Sequence, residues 1–338
     1  MVLALALGGC SGGDTTTGDG SGNASSSSSA GADRSADDAT TTTVARRSPS
    51  QTLLDRVCDG AASVSDAGVV SDPAITEASG VVASRARPDL WWLHNDSDDS
   101  ARIYAVEDSG QLLATVDLDG AAARDWEDIA IGPGAAPGDP DVIYIGDIGD
   151  NALYRNDPGS AHDTIRVIRL SEPEVATDVS AGPLSTEVTA ETLTFVYPDG
   201  PHDAEALMVD PITGDLLIVT KDWARTGVSR VYRASADQAA GTTATLEQVA
   251  TVGFDMATLV TAADVSPDGA VVALRSYARV DLYPRPAGMP LWAAFDQEPC
   301  TGPTPDEFQG EAIGFTADGA SYLTLAEGAR PVLHRTTG

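Results

Sequence analysis

The chain has 338 residues, with 51 Asp or Glu against 20 Lys or Arg and a formal net charge of −31. A surface this acidic repels a phosphate backbone, which excludes nucleic-acid binding through a basic face. Aromatic residues make up only 5% of the chain while Gly and Pro number 33 and 20, a composition that favours many turns over long helices.

At the N-terminus, residues 2–7 form an apolar run far shorter than the roughly 20 residues a spanning helix needs. It ends in Leu7-Gly-Gly-Cys10, so residues 1–10 read as the remnant of a lipoprotein signal peptide and its lipobox, with Cys10 lipidated. No Lys or Arg precedes Cys10, which places the expected start upstream of Met1. Residues 11–50 are Ser, Thr, Gly, Ala and Asp with almost no large apolar side chains; they read as a disordered tether, leaving 51–338 to fold. The protein is therefore expected on the extracytoplasmic face of the cell membrane, touching it only through its N-terminal lipid. With Cys10 modified, Cys58 and Cys300 remain as an even pair in an exported chain, and a disulfide between them is expected.

The folded region repeats. Five segments align without gaps, beginning Glu77-Ala-Ser-Gly, Glu127-Asp-Ile-Ala, Glu205-Ala-Leu-Met, Thr261-Ala-Ala-Asp and Glu311-Ala-Ile-Gly. Each is a short strand followed by a turn and a second apolar strand: Leu90-Trp-Trp-Leu93, Val142-Ile-Tyr-Ile145, Leu216-Leu-Ile-Val219, Val271-Val-Ala-Leu274 and Tyr322-Leu-Thr-Leu325. Third strands follow, as in 102–106, 165–169 and 230–233, with fourth strands at 112–116, 192–197 and 246–252. Four antiparallel strands per unit mark the blade of an all-β propeller. Five blades are read; a sixth, the alternative, would need another unit. The long second unit is attributed to polar insertions at 151–164 and 180–189. About half a unit follows Glu311, and residues 51–76 supply the rest, so the N-terminal segment is expected to complete the last blade and close the ring. Trp91, Trp92 and Trp126 are expected to pack between blades.

In a propeller the first strand of each blade lines the channel, so Glu77, Glu127, Glu205, Thr261 and Glu311 are expected to form a ring about the axis. Four carboxylates so placed call for protons, cationic partners or a metal ion. Oxygen ligands alone indicate a hard cation, calcium, and disfavour zinc. The loops after the second strands share that face. They carry His94-Asn-Asp-Ser-Asp-Asp99, Gly146-Asp-Ile-Gly-Asp-Asn151, Lys221-Asp-Trp223 and Arg275-Ser-Tyr277. Asn95, Asp96, Asn151, Asp222 and Tyr277 are candidate ligand contacts. Lys221 and Arg275 are candidates to hold an anionic group, and Asp147 and Asp150 to act as a base.

The order Glu, Glu, Glu, hydroxyl, Glu at these five positions resembles the calcium-dependent apyrase (calcium-activated nucleotidase) family. More loosely, the chain is similar to bacterial lactonase and esterase-like phytase propellers. The apyrase resemblance implies a five-bladed propeller with an axial calcium held by Glu77, Glu127, Glu205, Thr261 and Glu311, and a basic residue supplied from the loop of Arg275. Two functions follow as expectations. The first is a monomeric, lipid-anchored module that binds calcium in its channel and takes a small anionic ligand or a protein partner. The alternative is a calcium-dependent hydrolase of phosphate esters or anhydrides, in which a ring carboxylate, Asp147 or Asp150 is the general base and Lys221 and Arg275 stabilise developing charge.

Overall fold

The computed structural model describes residues 47–96, 99–134, 136, 138–154, 159, 161–176, 182–254 and 258–338. Cys10 and the tether as far as residue 46 lie outside the described residues. The boundary placed between 50 and 51 falls inside the first turn of a helix.

That helix, α1 (Pro49–Cys58), was not anticipated from the β pattern. Ser48 caps it reciprocally with Gln51, and Pro49 occupies the first turn, where a missing N–H costs nothing. Its apolar face, Leu53, Leu54 and Val57, packs on the fourth and fifth blades against Val280, Leu282 and Phe315.

The rest is an all-β propeller of five blades. Blade 1 comprises β2 (Ala78–Ala83), β3 (Leu90–Asn95), β4 (Arg102–Glu107) and β5 (Leu112–Asp119). Blade 2 comprises β6 (Trp126–Gly132), β7 (Val142–Asp147), β8 (Ile165–Ser171) and β10 (Glu191–Val196). Blade 3 is β11 (Ala204–Val209), β12 (Leu216–Thr220), β13 (Val228–Ala234) and β15 (Glu247–Gly253). Blade 4 is β16 (Val260–Val265), β17 (Val271–Ser276), β18 (Arg279–Pro284) and the two-residue β19 (Cys300–Thr301). Blade 5 takes β20 (Gly310–Phe315), β21 (Ser321–Ala326) and β22 (Val332–Thr337) from the C-terminus and its outer strand, β1 (Ser63–Val69), from the N-terminal segment. The ring is closed as expected. The 180–189 insertion contains β9 (Leu184–Thr189), which pairs parallel to β5 of the preceding blade, and β14 (Thr243–Thr245) extends blade 2 in the same way.

All five inner strands are buried at every position, because each of their faces packs against a neighbouring blade. They therefore read as continuous small and apolar runs, whereas outer strands such as β15 are largely open to solvent. Five apolar clusters fill the spaces between blades. Trp92 and Trp126 lie between the first and second blades, and Trp91 lies between the fifth and the first.

Cys58, at the end of α1, is disulfide-bonded to Cys300 in β19, with Cα atoms 5.0 Å apart. The bond fastens the helix to the outermost strand of blade 4, beside the closing blade. Such a bond indicates an oxidising, extracytoplasmic environment. Among the described residues no helix is long and apolar enough to cross a membrane.

Candidate metal centre

Each inner strand begins with a β-bulge. The ladder to the second strand skips one residue in every blade: Ser79, Glu127, Glu205, Thr261 and Glu311. Bulges re-aim a side chain next to sites of function. Four of the five expected ring positions coincide with these bulges, and the first does not. Blade 1 presents Ser79, and Glu77 lies two residues outside it. The gapless alignment at Glu77 is thus corrected by two residues, and the ring reads hydroxyl, Glu, Glu, hydroxyl, Glu, which removes one position of the apyrase-like order.

The hydroxyls at the bulges join the blades. Ser79 Oγ donates to the Glu127 carbonyl at 2.6 Å, and Thr261 Oγ1 to the Gly310 carbonyl at 2.8 Å. Glu127, Glu205 and Glu311 are each at least 94% buried.

Two residues before each bulge lies a second rung: Glu77, Asp125, Asp203, Leu259 and Gln309. The carbonyls of Glu77, Asp203 and Gln309 accept from Asp96, Lys221 and Glu327 N–H groups at 2.8–3.0 Å, so these positions are equivalent around the ring. Asp125 and Asp203 had not been singled out. The signal was present as the repeated Asp-x-Glu of Asp125-Trp-Glu127 and Asp203-Ala-Glu205, since residues two apart on a strand share a face.

The two rungs and the rim converge. Oxygens of Asp96, Asp125 and Glu127 lie within 4.8 Å of one another, and so do those of Glu127, Asp203 and Glu205. Acidic residues are thus clustered in a way that could hold a metal ion. Two like charges at such a distance repel by about 3–4 kcal/mol at an effective dielectric near 20. Burial pushes the Glu127 and Glu205 carboxyls well above the ordinary range. The charges of Glu205, Asp96 and Asp203 add to the shift at Glu127, whereas Lys221 opposes it at Glu205. Burial also raises Asp96 to about 8 and Glu311 to about 7. Two buried oxygens here have no hydrogen-bond partner, Asp96 Oδ1 and Glu311 Oε2.

Lys221, the one lysine of the chain, is buried at this rim. Its ammonium is bonded to Glu205 Oε1, donates to the Tyr277 hydroxyl at 2.9 Å, and lies 4.8 Å above the Trp223 ring and 5.0 Å above that of Tyr277. Burial works against the charged form, but Glu205 and Tyr277 outweigh it and leave the lysine above its usual pKa. Burial and Glu311 push Tyr277 up to about 12. A cavity of about 450 Å³ opens beside this group, lined by His202, Asp203, Lys221, Asp222 and Trp223 among others.

The remaining candidates have other surroundings. Asp147 is fully buried, forms an ion pair with Arg166, and accepts from Asp125 N–H at 2.9 Å. It orients the outer rung instead of facing the cavity. Asp150 donates its N–H to Asp203 Oδ1 at 2.6 Å and accepts from His162 N–H at 2.7 Å, while its Oδ1 is buried without a partner. Arg275 is enclosed against Glu307, with which it forms an ion pair. Asn95 braces the rim, accepting from the Thr76 and Glu77 N–H groups at 3.2 Å. Asp222 accepts from the Gly227 N–H at 2.7 Å and closes its own turn. The side chain of Asn151 lies outside the described residues. His94 is fully buried with Nδ1 on its neighbour's carbonyl at 2.9 Å.

One further pair of carboxylates holds the axis together. Asp128 accepts from Ile129, Leu207 and Ala263 N–H groups at 2.9–3.1 Å, which links the inner strands of blades 2, 3 and 4. Asp264 likewise accepts from Val265 N–H at 2.8 Å and from Phe315 N–H at 2.6 Å. Burial raises both carboxyls, against the pull of these hydrogen bonds. Comparison with protein-family models and with curated proteins finds no match for this chain.

Proposed function

We propose that this is an extracytoplasmic, lipid-anchored propeller that binds calcium at the mouth of its channel and uses the adjoining cavity to take a small anionic ligand or a partner. The observation that carries this reading is the convergence of four carboxylates, Asp96, Asp125, Asp203 and Glu205, on Glu127, with the Lys221 ammonium bonded to Glu205 and with Glu311 Oε2 buried and unpartnered nearby. An all-oxygen donor set suits a hard cation, and calcium tolerates such irregular geometry better than magnesium does. Glu127, Asp203, Glu205, Asp125 and Asp96 would hold the ion. It would supply the positive charge that the mouth lacks and a place to anchor an oxyanion.

A calcium-dependent hydrolase is a second reading, supported by one observation: Asp150 Oδ1 is buried without a partner beside Asp203, which lines the cavity. In that case Asp150, not Asp147, is the candidate base. Calorimetric titration with calcium tests the shared premise: the wild type binds and Glu127→Gln binds at least tenfold more weakly. Equal affinity in the two refutes the site. Release of phosphate from a panel of nucleotides and phosphate esters, dependent on calcium and lost in Asp150→Asn, would select the hydrolase.

A further inference from the structure

We infer that the protein has a second ligand site, on the face opposite the mouth, which takes a small zwitterion of the amino-acid class. A cleft between blades 2 and 3 opens there into a cavity of about 800 Å³, larger than the one beside Lys221. Its blade-2 wall lies where β6 ends at Gly132 and β7 begins at Val142, and its blade-3 wall is the 213–214 turn with residues 236–237 after β13. It contains no residue of the acidic mouth. Cavities of roughly 300–1,000 Å³ that combine apolar walls with a few convergent polar groups are the usual form of small-molecule sites.

Three residues form a polar row in this cavity. Tyr144, Arg169 and Glu191 stand directly opposite one another on β7, β8 and β10, so their side chains share the face turned to blade 3. Tyr144 is 9% exposed, and its hydroxyl has no hydrogen-bond partner among the described residues. Burial raises its pKa, so the group remains a donor. Arg169 donates from Nε to Glu191 Oε2 at 2.8 Å and from Nη1 to the Gln238 carbonyl of blade 3 at 3.2 Å. Those bonds fix the guanidinium and leave Nη2 without a partner among the described residues. A hydroxyl and a guanidinium held side by side suit a carboxylate.

The charges at the rim decide the rest of the ligand. Glu191, 56% exposed, stands on the blade-2 wall, and Asp237, which has no partner among the described residues, stands on the blade-3 wall. A simple anion that reached Arg169 would meet both carboxylates, and a simple cation drawn in by them would meet Arg169. A molecule carrying both charges satisfies each, with its carboxylate at Tyr144 and Arg169 and its ammonium at Asp237 and Glu191. Val142, Pro133 and the Tyr144 ring leave an apolar wall for its side chain.

The test is a calorimetric titration of the full chain with L-phenylalanine, in chelator and at about 0.15 M salt to screen diffuse surface charge. Binding with a Kd of about 1 mM or tighter is expected. Phenethylamine, which lacks the carboxylate, and 3-phenylpropionate, which lacks the ammonium, are expected to bind at least tenfold more weakly. Tyr144→Phe, which keeps the ring, and Arg169→Gln should each weaken L-phenylalanine at least tenfold, with thermal melting confirming that both variants are folded. No binding of L-phenylalanine at that level overturns the ligand class, and equal binding by either analogue overturns the zwitterion. Affinity unchanged in Tyr144→Phe, or lost in Glu127→Gln, overturns the placement. Each of these failures leaves the proposed cation site standing, because calcium binding is measured separately.

Discussion

A β-carbon on Gly149 would stand 1.9 Å from Glu127 Oε1, and 2.7 Å from Asp125 Oδ2. The loop after the second strand of blade 2 therefore presses its backbone directly on the carboxylates of the candidate metal centre. Gly149 N–H donates to the Asp125 carbonyl at 3.2 Å, and the next residue, Asp150, donates to Asp203. The Gly146-Asp-Ile-Gly-Asp150 stretch thus spans the outer-rung residues of two blades.

Gly149→Ala is expected to displace Glu127 and Asp125 without straining its own backbone, because Gly149 does not adopt a left-handed conformation. Calcium affinity should fall at least tenfold. Calorimetry checks it, and unaltered affinity would show that the carboxylates do not need their present positions.

The acidic mouth should make the cation-free protein less stable as pH rises. Burial raises Asp96 and Glu311 from their ordinary values of 3.8 and 4.5 to about 8 and about 7 in the fold, so the native state holds protons that the unfolded chain has released. A carboxyl with a raised folded pKa contributes stability below its unfolded value and loses it as pH climbs through the folded value. With chelator present, the melting temperature is expected to fall by about 5 °C or more between pH 5 and pH 8. Calcium at pH 8 should restore it, since a ligand that binds only the native state stabilises it. A melting temperature that rises over this interval would contradict the assignment.

Removing the Cys58–Cys300 bond opens a link between residues 242 apart in sequence. Loop-closure entropy gives such a cross-link about 3–5 kcal/mol. The Cys58→Ser, Cys300→Ser double variant should therefore melt roughly 10 °C lower. The loss should fall first on α1, whose remaining hold is the packing of Leu53, Leu54 and Val57 on blades 4 and 5 and the hydrogen bond from Ser50 Oγ to the Asp268 carboxylate at 2.6 Å. Hydrogen exchange that shows residues 49–58 opening before the blades would confirm it.

Asp128→Ala should cost about 3 kcal/mol or more, by taking the acceptor from buried Leu207 and Ala263 N–H groups on two other blades. Denaturant unfolding measures this. A loss below about 1 kcal/mol would mean that the strands find other partners.

The sequence by itself determined the blade count, the closure by the N-terminal segment and the disulfide. A period of about fifty residues and continuous apolar inner strands follow from local chemistry that every blade must satisfy. It also marked Glu127, Glu205 and Glu311 as axial. Tertiary structure alone decided the rest. Glu77-Ala-Ser-Gly resembles Glu311-Ala-Ile-Gly, yet strand pairing with β3 puts Ser79 at the bulge, because register is set by the partner strand rather than by four residues of similarity. Asp147 looks as acidic as Asp125, but the neighbouring strand brings Arg166 to it. The bonds of Asp128 across three blades, and the division of the acidic mouth around Glu127, depend on which strands meet at the axis. Those contacts join residues up to 135 positions apart, and no local pattern encodes such a distance.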